Sequence, residues 1–460
     1  MESGSAVAQA PGALPVLGHL AAFLRAPLPF LRGLPSHGPL VEIRLAGKPV
    51  LVVCDPELTR TVLVHDRVFD KGGPLFERLR EAGGQGLATC PSGEHRRLRR
   101  LIQPAFHHSR FPGYARIMTQ RIDTALAGWH DGQTLDLAVE ARRLTADIVV
   151  STVFGTGLDP TVHTRLATDF DTLLAGFTRH SLLPGPLRKV PTPGNVRYER
   201  ATRRVRREMS YLTAEYRAHG TTGEANLLSL LIAARDPASD TPALTDDELV
   251  DQAVTMYSAG TETTAGALCW ALYLAALHPP VQERLTAEVG TVLGGRTAGW
   301  DDLPRLAYTR QVFNEALRMY PPGWFLTRQT EKDTHLGPYP IRQGTTLAYS
   351  PYLISHLPGL YPDPERFAPD RWEAAGREPD VPSTVFGGGA RKCIGDEFAL
   401  VEGVLLLASV LSHWEIELHP GSLGLPRLPQ LTLNPGRMTA TLATRRHHPR
   451  PTTAPHGTAR

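Results

Sequence analysis

The sequence predicts a mainly α-helical fold with a smaller β part. Three observations predict it. From residue 56 onward, apolar residues recur at helical spacing between Pro and Gly stops. One apolar pattern opens on the start signature Thr245-Asp246-Asp247-Glu248 and continues through residue 277, long enough for a helix that crosses the molecule. Strand-like alternation is confined to short stretches. Leu40-Val41-Glu42-Ile43-Arg44-Leu45 is the first, with residues 49–54 as its hairpin partner.

The elements follow in order. Residues 1–35, rich in Pro, Gly and Ala, read as an irregular N-terminal segment. No Ser/Gly linker or charge block divides residues 36–444, so they read as one domain. An amphipathic helix over 164–177 and a long basic helix over 197–218 flank a proline-rich loop, 182–194, with apolar residues on display. After the central helix come helical patterns at 280–293 and 302–320. Short strands at 324–330 and 345–349 follow, then a proline-laden meander at 361–372. The tail, 445–460, holds four arginines and no acidic residue and reads as disordered.

Composition bounds the class. A chain of 460 residues, 42% hydrophobic and 21% charged, is globular and large enough to enclose a cofactor. The formal charge of +3 is accounted for by the tail, which argues against a nucleic-acid surface. Cys54, Cys90, Cys269 and Cys393 lie far apart with no C-x-x-C pair, which suits a reducing compartment and excludes a disulfide scaffold or zinc ribbon. The N-terminus has no signal-peptide pattern, and the longest apolar runs, 267–277 and 404–411, are too short to span a membrane. The expected location is the cytoplasm, without a membrane anchor. Lysine occurs only at 48, 71, 189, 332 and 392 beside abundant arginine, a usage typical of GC-rich bacterial genomes.

The most informative stretch is Phe386-Gly387-Gly388-Gly389-Ala390-Arg391-Lys392-Cys393-Ile394-Gly395. A lone cysteine beside glycines is commonly a small buried residue or part of a turn. A dinucleotide fingerprint fails here, because Lys392 stands where its third glycine belongs. The apolar run after Gly395 reads as a helix, which puts Cys393 at a helix N-terminus where the dipole favours a thiolate. A thiolate on a loop that lets a bulky planar group approach the backbone is the axial iron ligand of a haem oxygenase.

Four further stretches carry chemistry. Ala259-Gly260-Thr261-Glu262-Thr263-Thr264 sits mid-helix, where glycine alone costs roughly 1 kcal/mol. In isolation it reads equally as a satisfied polar cluster or as a site for bound oxygen. In the second reading Gly260 leaves room, Thr263 offers a hydrogen bond and Glu262 relays protons. Glu315 and Arg318 face each other on one helix, a common surface pairing that is weak evidence alone. Arg371, in Phe367-Ala368-Pro369-Asp370-Arg371-Trp372, either completes a buried triad with them or is an ordinary surface arginine. In the basic helix Gly93-Glu94-His95-Arg96-Arg97-Leu98-Arg99-Arg100, His95 and Arg99 lie one turn apart and could hold carboxylates of a flat cofactor, as could Arg328 and Arg391. Arg96, Arg97 and Arg100 would then form a positive patch for an acidic electron donor.

Together these stretches resemble the cytochrome P-450 haem-thiolate monooxygenases, with four motifs in the family's order along essentially the whole chain. They are the segment 259–264, the E-x-x-R pair Glu315/Arg318, the F-x-P-x-R segment ending at Arg371, and the cysteine loop. The resemblance implies a mostly helical fold with haem b between the oxygen-site helix and the cysteine helix. It implies Cys393 as the axial thiolate ligand, Gly260, Thr263 and Glu262 in oxygen activation, and His95, Arg99, Arg328 and Arg391 on the propionates, with Phe386 against the cofactor.

It further implies O2 as cosubstrate, electrons from a ferredoxin and an NAD(P)H-ferredoxin reductase, and a monomer. Within the family, Phe69-Asp70-Lys71-Gly72-Gly73-Pro74 and Met319-Tyr320-Pro321-Pro322-Gly323-Trp324-Phe325 resemble actinobacterial sesquiterpene oxidases of the pentalenene-oxidising type. That likeness implies oxidation of a methyl group to the alcohol and then the aldehyde. Leu75, Phe76, Trp324, Phe325 and Leu326 lie in segments that the family brings near the substrate, and each reads equally as plain core.

Other functions leave different marks. A fatty-acid or polyketide hydroxylase calls for polar or basic pocket residues. A haem sensor without turnover has no use for Thr263 and Glu262, and a peroxide-driven enzyme replaces that acid–alcohol pair.

Overall fold

The computed structural model describes residues 6–155, 159–182, 190–219, 226–236, 241–373, 384–422, 427–429 and 431–445. Its organising element is the central helix Asp246–Leu277, 32 residues and therefore roughly 48 Å long. Thr245 starts it with a full capping box: its hydroxyl accepts from Glu248 N–H at 3.2 Å, and the Glu248 carboxylate accepts from Thr245 N–H at 2.9 Å. His278 ends it, because Pro279 and Pro280 open the next helix, Pro279–Leu293. Its densest neighbour is the helix Leu137–Phe154, where Thr145 Oγ1 donates to the Thr261 carbonyl at 3.0 Å. The helices Pro193–His219, Ala307–Met319 and Asp396–His413 pack on its other sides.

The helix expected after Gly395 runs Asp396–His413 with Gly395 as its N-cap. Val404, Leu405, Leu406 and Leu407 cover every direction around it and all are fully buried, so it lies inside the protein. Gly403 is required there: a Cβ would lie 2.0 Å from the Phe313 ring of the helix Ala307–Met319.

The β part is a six-stranded mixed sheet in the order Ala8–Gln9, Leu40–Leu45, Lys48–Val53, Thr346–Tyr349, Leu326–Thr330, Phe69–Asp70. The predicted hairpin pairs Leu40 with Val53 and Leu45 with Lys48, while Leu51 pairs in parallel with Leu347. Phe69 and Asp70 pair with Thr330 and Gln329, which sets Lys71 beside the strand that carries Arg328. A second sheet joins Trp414–Leu418, Thr439–Thr444 and Thr134–Asp136, and a short hairpin pairs Arg427–Pro429 with Leu433–Pro435.

Two expectations change. The segment 1–35 is not irregular: its described part contains the strand Ala8–Gln9 and the helices Leu20–Arg25 and Pro27–Gly33. Pro27 starts the second helix at its first position, and Leu28 and Leu31 bury its inner face, a periodicity that the Pro/Gly content obscured. The 302–320 pattern is also two elements, a 3₁₀ turn Trp300–Arg305 around Pro304 and the helix Ala307–Met319. Most of the loop 182–194 and nearly all of the tail 445–460 lie outside the described residues. No helix among the described residues is long and apolar enough to cross a membrane.

Candidate active site

A cavity of about 340 Å³ lies between the cysteine loop and the central helix, lined by both. The loop is shaped by its glycines. Gly387 and Gly389 take φ of 72° and 63°, and a Cβ on Gly389 would lie 2.5 Å from the Leu63 carbonyl oxygen. The turn closes as Cys393 N–H donates to the Phe386 carbonyl at 2.8 Å. Cys393 keeps accessible surface and lines the cavity, yet it sits among interior groups. Burial pushes its thiol up, opposed by the Gly395 N–H on the sulfur and by Lys71 and Arg99.

Six basic residues line the same cavity: Lys71, His95, Arg99, Arg328, Arg391 and Lys392. Arg391 is held by Asp70, Nη2 to Oδ1 at 2.5 Å, and by the Cys90 carbonyl at 2.9 Å, with its Nε unpartnered. Arg99 donates to the Lys392 carbonyl at 2.6 Å, tying the basic helix Ser92–Ile102 to the cysteine loop. Arg328 is buried, lies over the Tyr349 ring at 5.2 Å and has an unpartnered Nε. Desolvation, with Arg391, Lys71 and Arg99 adding, lowers the pKa of His95 to about 3, so its imidazole is neutral, and its Nδ1 has no partner.

Lys71 is, with Lys392, a basic lining residue that the sequence reading missed. Desolvation first, then Arg328 and Arg391, lowers its pKa to about 7, and its ammonium donates to the Ala88 carbonyl at 2.9 Å. A lysine next to Gly72-Gly73 in a lysine-poor chain was the available signal.

The central helix presents Met256, Ala259, Gly260, Thr263, Thr264 and Ala267 to the cavity. Thr263 Oγ1 donates to the Ala259 carbonyl at 2.6 Å, which leaves its lone pairs for the cavity. Gly260 lines the cavity, but the space that a Cβ would take belongs to Val149, whose Cγ2 lies 2.8 Å away. Its glycine identity therefore follows from close helix packing. Glu262 is not among the lining residues: its Oε2 accepts from Asn434 Nδ2 at 2.6 Å and Thr432 Oγ1 at 3.2 Å. One residue along a helix turns the side chain by about 100°, so Thr263 and Glu262 face different neighbours.

The triad forms as a buried unit. Glu315 and Arg318 are almost wholly inaccessible, and Arg371 Nε donates to Glu315 Oε1 at 2.9 Å. Arg318 Nη1 also donates to the Ser355 carbonyl at 2.8 Å, and the helix Pro351–Ser355 packs on the turn Thr384–Phe386 that opens the cysteine loop. The triad thus reaches the loop through the helix Pro351–Ser355.

Other expectations are corrected. Of the five pocket candidates only Leu326 lines the cavity. Trp324 and Phe325 gather around Phe23, at 5.8 and 5.3 Å between rings. Phe76 is buried beneath the Lys71 ammonium, and Leu75 packs with Leu173 and Tyr198. The proposed positive patch is largely neutralised: Arg97 pairs with Glu248, Arg100 with Asp236 at 2.8 Å, and Arg96 with Asp66 at 4.0 Å.

The donor set fits a haem. Lys71, Arg99 and Arg328 make no ion pair among the described residues, although all three border one apolar cavity. Unpaired cations there are costly, and a flat group bearing carboxylates, with one soft ligand at Cys393, satisfies them. All four cysteines are free, and no cluster of metal-ligating residues exists among the described residues, so a metal would be held by one sulfur and its own macrocycle.

Comparison with known proteins agrees. The chain is 43% identical to a pentalenene oxygenase of Streptomyces avermitilis, over 89% of this chain and 91% of that one. It is 40% identical to the cyclooctatin synthase of Streptomyces melanosporofaciens, over 93% of each. The crystal structure of the cytochrome P450DA heme domain superposes with a TM-score of 0.86 at 26% identity, covering 97% of this chain and 99% of that one. The family model for Cytochrome P450 matches residues 9–441, and the chain therefore belongs to the cytochrome P450 family, monooxygenases whose haem is held by a cysteine thiolate.

Proposed function

We propose that this monooxygenase hydroxylates an apolar cyclic terpenoid, with pentalenene as the substrate to test first, taking the methyl group to the alcohol and then the aldehyde. The observation that carries the proposal is a cavity bordered by Cys393 and Thr263 that, beside its basic and polar side chains, has an apolar stretch of wall formed by Leu87, Val149, Val153, Leu227, Leu317 and Leu326. A hydrocarbon offers no hydrogen bond, so such a wall positions it by shape and burial, worth about 25 cal/mol per Å². The names of the two relatives compared above favour this substrate class, and a third relative is a cyclooctat-9-en-7-ol 5-monooxygenase, 40% identical.

Haem held at Cys393 would supply the redox-active iron for the O2 chemistry. The chain does the rest. Cys393 Sγ would hold the iron, with the Gly395 N–H on the sulfur to support its negative charge. Lys71, Arg99, Arg328 and Arg391 would hold the propionates, and neutral His95 would donate one ring N–H to them. Phe386, which lines the cavity, would border the cofactor. Thr263 Oγ1 accepts a hydrogen bond from a proton-bearing group in the cavity while its own O–H donates to the Ala259 carbonyl. Electrons come from a separate ferredoxin and its NAD(P)H reductase.

The test is a titration of the ferric protein with pentalenene, followed at the Soret band. A saturable low-to-high-spin shift supports the substrate. No shift with a normal thiolate-haem baseline rejects pentalenene and moves the search to larger cyclic terpenoids. The variant Cys393→Ala is expected to lose the thiolate-haem spectrum, and its survival would remove Cys393 as ligand.

A further inference from the structure

Glu262 lies one position before Thr263, yet its carboxylate faces away from the cavity. Along the central helix, positions 262, 266 and 270 form one stripe, spaced four residues apart. That stripe seats the hairpin of Arg427–Pro429 and Leu433–Pro435. Glu262 Oε2 accepts from Asn434 Nδ2 at 2.6 Å and from Thr432 Oγ1 at 3.2 Å. Gly266 admits Asn434, whose Oδ1 would lie 1.9 Å from a Cβ at that position. Trp270 Nε1 donates to the Leu433 carbonyl at 3.0 Å.

Beyond those anchors, Leu431 at the hairpin turn packs in a small apolar cluster with Leu75, Leu79, Leu173 and Tyr198. The cluster is separate from the main core and joins three helices: Gly73–Gly83, Pro160–Leu182 and Pro193–His219. The last two are the helices on either side of the proline-rich loop.

We propose that Glu262 is a positioning residue, which pins this hairpin to the central helix and so fixes Leu431 against the cluster that joins those three helices. The carboxylate couples the helix turn carrying Thr263 to the three helices that Leu431 packs against. This rests on the monooxygenase reading only for its consequence in catalysis; the anchor itself is a property of the folded chain. A proton relay at Glu262 is the competing role. It requires the side chain to reach the cavity, which the Asn434 and Thr432 contacts oppose.

Hydrogen–deuterium exchange on the ferric holoenzyme, without substrate, tests the anchor. Glu262→Ala and Asn434→Ala should each speed exchange in the peptide covering 431–438, by similar factors. The double variant should add little to either single one. Glu262→Gln, which keeps an acceptor for Asn434, should stay near the wild type, and Gly266→Ala should reproduce the Asn434→Ala pattern by displacing that side chain. In turnover with pentalenene, or with another hydrocarbon that gives the spin shift, Glu262→Ala and Asn434→Ala should raise KM together. Unchanged hairpin exchange in Glu262→Ala overturns the proposal. So does a larger solvent isotope effect on kcat in Glu262→Gln with a wild-type exchange pattern, which assigns the residue to proton delivery. The exchange result stands whether or not pentalenene proves to be the substrate.

Discussion

Arg318 grips Glu315 with two hydrogen bonds of 2.9 Å, from Nε and Nη2, and neither side chain is reached by solvent. The same carboxylate also accepts from Arg371 Nε, Trp372 Nε1 and the Ala368 N–H. A buried carboxylate so fully satisfied contributes specificity of the fold, and removing one member leaves a charge uncompensated. Glu315→Ala should therefore destabilise by about 3–5 kcal/mol. Arg371, part-buried and bound to the rim of the group, should cost less when replaced by Ala. Urea unfolding followed by fluorescence, together with the haem content of the purified protein, checks both values. Equal and small effects would reduce the triad to an ordinary surface pair.

Much of this was legible beforehand, and the exceptions have physical reasons. The capping box at Thr245 and the apolar run after Gly395 mark helix starts by local chemistry, and both helices begin where that chemistry puts them. Cys393, Thr263 and the basic residues stand out because motif spacing reflects local backbone shape. Direction was not legible: whether Glu262 faces Thr263's cavity or a hairpin some 170 residues along depends on tertiary packing. Trp324 and Phe325 failed as pocket residues for the same cause, since their partner Phe23 sits in a segment read as irregular. Lys71 was overlooked because a single lysine has no periodicity to betray it.

Glu402 lies midway along the helix that follows the cysteine loop, fully buried, with neither carboxyl oxygen in a hydrogen bond within normal limits. Desolvation raises its pKa well above 4.5, and the nearby Thr264 hydroxyl only partly offsets this. The folded state therefore keeps the proton while the unfolded chain loses it above about pH 4.5. Its contribution is full below that pH and is lost as pH rises toward the folded pKa. Glu402→Gln should flatten this fall and make the protein relatively more stable near neutral pH. Unfolding midpoints of both proteins between pH 5 and 8, on the order of one unit apart, read the difference.

Lys71 should act with opposite signs in the two forms of the protein. Without cofactor, the fold disfavours its ammonium, a cost that appears as pH falls from 10.5 and is complete below about 7. With haem bound, an anionic propionate would compensate the same charge. Lys71→Met should thus raise the thermal midpoint of the haem-free protein at pH 6 and speed haem loss from the loaded one, measured by transfer to apomyoglobin. A variant that lost stability in both forms would place Lys71 in the packing of the fold and not at the cofactor.

Thr263 offers the sharpest separation between structure and chemistry. Its Oγ1 donates back to the Ala259 carbonyl, a bond within the helix that stabilises little, and alanine is the better helix former by a few tenths of a kcal/mol. Thr263→Ala should fold normally and keep the thiolate-haem spectrum and the substrate-induced spin shift. What disappears is a hydrogen-bond acceptor at the cavity wall, the only function that the side chain has there. Reducing equivalents should then be consumed at a comparable rate but released as hydrogen peroxide, with product per NADPH falling severalfold. Thr263→Ser, which restores the oxygen without the methyl group, should recover most of the coupling. If product per electron were unchanged in the alanine variant, the neighbouring Thr264 hydroxyl, which lines the same cavity, would become the group to test.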